Sequence, residues 1–134
     1  MTVDVDHARA QARAQLDHII EQVAQLEAAQ GDHEREEAER EIWENPLELL
    51  VRAARQGWQS PNNPEPFDPA EFQLLMCTGG PAVRVLGDLD QYGDPETVSI
   101  EYQDWGTPWT LYTTVNPAER EALLKFCRQF FFGG

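Results

Sequence analysis

Four prolines fall within nine residues at Pro61, Pro64, Pro66 and Pro69. Each fixes φ and removes a backbone donor, so no helix or central strand can run through this stretch. The hydrophobic period differs on its two sides. Before it, apolar residues recur every three or four positions; after it, they alternate. A chain of 134 residues has the length of one folding unit. The expectation is a single domain over residues 1–134 with a helical half at 1–58, a proline-rich connection at 59–71, and a sheet plus C-terminal helix at 72–134. This is the α+β class, with N-terminal helices followed by an antiparallel meander of three or four strands covered by a C-terminal helix.

In the helical half, Leu16, Ile19, Ile20, Val23 and Leu26 form one apolar stripe along a helix spanning about residues 6–30. The stripe is spaced like a short coiled-coil seam, and packs either on the body of the domain or against a second copy as a homodimer. Gly31 ends this helix and Asp32 is placed to cap the next, over residues 32–44. That segment is dense in charge, with Asp32, Glu34, Glu36, Glu37, Glu39, Glu41 and Glu44 against Arg35 and Arg40. Asn45-Pro46 then restarts a helix in which Leu47, Leu50, Val51 and Ala54 make a stripe that closes at Gly57.

In the sheet half, residues 72–78 are an apolar run bounded by Gly79-Gly80-Pro81, and residues 82–89 are the next strand. Residues 90–95 read as a hairpin loop. Val98, Ile100 and Tyr102 alternate with Ser99, Glu101 and Gln103, as in a strand with one wet face. Gly106-Thr107-Pro108 turns the chain and residues 109–115 return it. Asn116-Pro117-Ala118-Glu119 is a helix start with a cap, a proline at the first position and an acid at the third. Ala122, Leu123, Phe126, Cys127 and Phe130 share a face of that helix, which is expected to pack over Val98, Ile100 and Tyr102.

Charge narrows the partners. There are 24 acidic and 10 basic residues, a net charge of −14, and Lys125 is the sole lysine. Coulomb repulsion disfavours phosphate and anionic lipid, so neither direct nucleic-acid contact nor membrane binding is expected. Positively charged proteins are favoured. Between residues 65 and 104 there are nine acids against Arg84 alone, a net of −8. The first six residues carry neither the basic nor the apolar region of a secretory leader, so a cytoplasmic setting is expected, with Cys77 and Cys127 as free thiols.

Motifs for catalysis are weak. His7, His18 and His33 lie far in sequence from both cysteines, so a Cys–His nucleophile pair depends wholly on the fold. Residues 88–93 partly match a calcium loop, but Tyr92 occupies the fifth position and Ser99 the twelfth, where oxygen-rich ligands are needed. The reading is therefore non-enzymatic, with no cofactor and no metal. Residues 102–109 place Tyr102, Trp105 and Trp109 around a tight turn beside Asp104, an aromatic group of the kind found at protein-interface hot spots. Eight residues make up the candidate protein-binding site: Asp88, Asp90, Asp94, Glu96, Glu101, Asp104, Trp105 and Trp109.

The segments Cys77-Thr78-Gly79-Gly80-Pro81-Ala82-Val83-Arg84, Gly87-Asp88-Leu89-Asp90 and Tyr102-Gln103-Asp104-Trp105-Gly106-Thr107-Pro108-Trp109, with the aromatic end before Gly133, resemble small uncharacterised proteins of bacteriophages and prophages. The resemblance covers roughly residues 70–134 and implies a phage-type accessory protein acting in the cytoplasm of a bacterial host. It carries no catalytic residues. The expectation is an acidic, non-enzymatic protein that binds a basic host or phage protein, as an anti-defence inhibitor whose carboxylates imitate nucleic-acid charge. The alternative is a phage structural, assembly or oligomerisation module.

Overall fold

The computed structural model describes residues 5–53, 57–61 and 68–132. Helix α1 (Val5–Ala28) buries Ala8, Ala12, Leu16, Ile19 and Val23 along one side. The expected stripe is thus real, and it packs within the chain. Leu16 and Ile19 have no exposed surface, so a homodimer through this stripe would have to draw them out of the core. Gly31 takes φ +83°, a left-handed value that suits glycine, at the break before α2 (Gly31–Glu44). The cap differs from expectation. Gln30 rather than Asp32 holds the N-cap position, and its backbone N–H donates to the Glu34 carboxylate at 2.9 Å.

Helix α2 packs on α1 through Ala38 and Ile42. The buried Gln22 of α1 fastens the pair: its Nε2 donates to the Glu41 carbonyl at 3.0 Å and its Oε1 accepts from Asn45 Nδ2 at 2.6 Å. Both halves of this amide are satisfied, which removes the cost of burying it.

The helix expected from Pro46 to Gly57 is a correction. Residues Glu48–Arg52 form strand β1, paired antiparallel with β2 (Glu71–Cys77) from Glu48↔Leu75 to Arg52↔Glu71. The spacing of Leu47, Leu50 and Val51 fits a helix, but Leu49 and Val51 also alternate with Leu50 and Arg52, and pairing with β2 decides between them. Ala54 lies outside the described residues. Strand β1 also extends the sheet into the expected helical half. Past it, the N–H and C=O of Val51 bond Gln59 at 2.7 Å each, so the proline-rich connection starts with a bridge to the sheet.

Strands β3 (Ala82–Asp88), β4 (Ser99–Gln103) and β5 (Thr110–Leu111) complete a five-stranded sheet in sequential order, every pair antiparallel. The returning strand expected over 109–115 is only two residues long. On the inner face lie Val51, Phe72, Leu74, Val83, Val85, Ile100 and Tyr102, all buried. Helix α1 covers β3 and β4 there, and Arg9 Nε lies 3.5 Å from the Tyr102 hydroxyl it donates to.

Helix α3 (Pro117–Cys127) opens with the expected capping box. Asn116 Oδ1 accepts the Glu119 N–H at 2.8 Å and Glu119 Oε1 accepts the Asn116 N–H at 3.1 Å. The helix packs mainly on α1, with buried Leu123 beside Val98 and Ile100. Beyond it, buried Phe132 meets Phe72 with ring centroids 4.7 Å apart. All three helices therefore stack on one side of the sheet. Among the described residues no helix is long and apolar enough to cross a membrane.

Candidate protein-binding face

The other side of the sheet carries no helix among the described residues. Cross-strand register sorts its side chains into three rows. One holds Glu48, Leu75, Arg84, Glu101 and Leu111. The next holds Leu50, Gln73, Leu86 and Ser99, and the third Arg52, Glu71 and Asp88. Leu50, Leu75 and Leu86 are half-buried and Leu111 is 51% exposed.

Two ion pairs hold this surface in shape. Arg84 donates from Nε and Nη2 to Glu101 Oε1 at 2.8 and 2.6 Å, and from Nη1 to Gln73 Oε1 at 2.8 Å. Its guanidinium carbon stands 4.3 Å from the centroid of the Trp109 ring. Arg52 donates from Nε and Nη2 to Glu71 Oε2 at 3.1 and 2.7 Å, and stacks 4.1 Å from the Trp58 ring centroid. Each arginine is thus sandwiched between a carboxylate and an indole, which fixes two long side chains and two rings in place. The rows carry four carboxylates (Glu48, Glu71, Asp88 and Glu101) against these two guanidiniums, so the face keeps negative charge around an apolar middle.

The expected site residues do not form one patch. Glu101 and Trp109 are on this face, and Asp88 is at its lower edge. Asp90, Asp94 and Glu96 follow in the β3–β4 connection, where Gly93 takes φ +83°. Asp90 Oδ1 accepts the N–H groups of Tyr92 at 2.8 Å and Asp94 at 3.1 Å, so this carboxylate shapes the loop. Asp88 Oδ2 accepts the Thr97 hydroxyl at 3.1 Å. Asp94 and Glu96 are exposed. Asp104 and Trp105 sit at the opposite end of β3 and β4, beside the Gly79-Gly80-Pro81 turn. Seven residues of β3 separate the ends by about 20 Å.

Sequence reasoning counted Glu71 only as one of the nine acids of residues 65–104, and missed Arg52, Trp58 and the outward leucines. Leu86 stands out of phase with Val83 and Val85 in the sequence, and an apolar residue at a wet-face position is the local signal that could have found them.

Arg13 of α1 bonds the carboxylate of Glu119 and pairs with Asp17 at 2.7 Å. Arg13, with the Asn116 N–H, pulls the Glu119 pKa below its ordinary value, while both carboxylates raise that of Arg13. Both cysteines are free. Burial pushes the thiol of fully buried Cys127 far up, and that of half-buried Cys77 up as well, so neither is primed as a thiolate. No protein-family model, curated protein or solved structure matches the chain.

Proposed function

We propose that this chain is a non-enzymatic binding protein whose partner is a basic protein docked on the face of the sheet that carries no helix among the described residues. The observation that supports it is the composition of that face: outward Leu50, Leu75, Leu86 and Leu111, two indoles stacked on arginines, and a surplus of carboxylates. Apolar and aromatic side chains supply the desolvated centre that binding needs, and the acids steer a cationic partner and fix its orientation. The inhibitor form of this reading, with carboxylates in the groove of a nucleic-acid-binding protein, is supported by charge alone. The phage-type, bacterial-host setting rests on the sequence resemblance.

The test is affinity capture from a bacterial lysate with stepped salt elution. The expected result is a basic protein retained at about 0.1 M salt and released toward about 1 M, as the Debye length falls from about 10 to about 3 Å. The Glu48→Lys/Asp88→Lys/Leu111→Lys variant should lose it, while Glu36→Lys/Glu37→Lys on α2 should keep it. Equal capture by both variants would overturn the reading.

A further inference from the structure

With 24 acids in the chain, most arginines that tie one element to another are answered by a carboxylate. Arg13 bonds Glu119, Arg52 bonds Glu71 and Arg84 bonds Glu101. Arg120 of α3 is held differently. Its Nη1 donates to the Val98 carbonyl at 3.2 Å, and among the described residues no carboxylate pairs with it. Its Nε and Nη2, on the other edge of the guanidinium, make no hydrogen bond among the described residues.

Arg120 borders a cavity of about 190 Å³ between β4 and α3, left by the shortness of β5. The Tyr112 N–H still bonds the Ile100 carbonyl at 2.9 Å, but strand pairing has ended at Leu111, and the Val115 N–H turns back to the Thr113 carbonyl at 2.9 Å. Val98, Ile100, Tyr112 and Leu123, all buried, line the wedge that results. Thr113 and Arg120, both exposed, stand where it meets solvent. Among the described residues no Asp or Glu lines it. The backbone beneath Arg120 is fixed, because the capping box sets the first turn of α3 and the Arg120 N–H closes on the Asn116 carbonyl at 2.9 Å.

We propose that this cavity binds a small monocarboxylic acid with an apolar tail, its carboxylate on Arg120 and its tail against Val98, Ile100 and Leu123. Nε and Nη2 form the fork that a carboxylate accepts in parallel bonds. At about 30 Å³ per non-hydrogen atom, a cavity of about 190 Å³ holds about six of them, which sets the acid at about four to six carbons. The tail displaces water from buried apolar walls, which a bare anion such as phosphate does not do. Phosphate also carries more charge against the chain's net −14. The site stands apart from the rows of the open face and does not depend on the basic-partner reading.

The test is a titration of the ¹⁵N-labelled protein with pentanoate at fixed ionic strength, followed by NMR at the Arg120 Nε–H and the Ser99 and Thr113 amides. Saturable shifts at these three positions are expected, with a Kd of about 1–10 mM for an acid of this size. Acetate, which keeps the charge and loses the tail, should bind at least about tenfold more weakly. Pentanamide, which keeps the tail and loses the charge, should bind about tenfold more weakly. Arg120→Met keeps a long stem without the fork, and should bind pentanoate no better than pentanamide. If that variant loses the wild-type spectrum, the three compounds on the unmodified chain decide the matter alone. Acetate or pentanamide matching pentanoate, non-saturating shifts, or a preference for pentanoate that survives Arg120→Met would each overturn the site. Failure here leaves the open face standing, and loss of lysate capture leaves this site standing.

Discussion

Two glycines illustrate how a missing side chain can position a surface. At Gly87, which pairs with Phe72 on the inner face, a Cβ would stand 1.9 Å from the Thr97 carbonyl oxygen and 3.1 Å from Phe72 Cε1. The obstacle is backbone, and it belongs to the segment that leads into β4. Gly87→Ala should therefore destabilise the fold by about 2 kcal/mol or more, read as a lower urea midpoint with an unchanged slope. Gly80→Ala meets an exposed indole instead, which can swing away. It should leave the midpoint within about 0.5 kcal/mol of wild type while unseating Trp105. Equal costs at the two sites would contradict this account of Gly87. Neither contact was legible in the sequence, because each depends on a residue that only the fold brings close, Thr97 to Gly87 and Trp105 to Gly80.

At the scale of elements, local chemistry was legible where it was self-contained. Asn116-Pro117-Ala118-Glu119 reads as a helix start, and the capping box forms as read, because its partners are three residues apart. The alternation of Val98, Ile100 and Tyr102 likewise fixes the buried side of β4. Residues 47–52 went the other way: their apolar spacing fits a helix and a strand alike, and only the β2 edge, twenty residues on, decides. Glu119 links α3 to α1 through Arg13, a tie that no local pattern announces. Its pKa is lowered in the folded state from 4.5. A lowered carboxyl pKa gives stability that is complete above the unfolded value and is lost as pH falls through the folded one. Glu119→Gln should thus cost about 1–2 kcal/mol at neutral pH. The gap to wild type should narrow as pH drops below 4.5, measured by thermal unfolding across pH. A gap that stays constant with pH would mean that the carboxylate's charge contributes nothing.

For the whole molecule, the order of layers matters most. Three helices on one side of a five-stranded sheet leave its other side without a helix among the described residues, and that side collects Glu48, Leu50, Arg52, Leu75, Leu86 and Leu111. The acidity of residues 65–104 was visible in the sequence; its division between a hairpin, an open face and a far corner was not, since only strand register separates them. Glu71 and Glu101, counted as surplus charge in the sequence, turn out to be paired with Arg52 and Arg84. The central claim is that a basic protein docks on the open face, and carboxyl footprinting addresses it most directly. The complex with the captured protein would be labelled with carbodiimide and an amine, and each acid read by mass spectrometry. Binding should protect Glu48 and Asp88 and leave Glu36 and Glu39 on α2 as reactive as in the free chain. Protection of the α2 acids with Glu48 and Asp88 still fully labelled would contradict it.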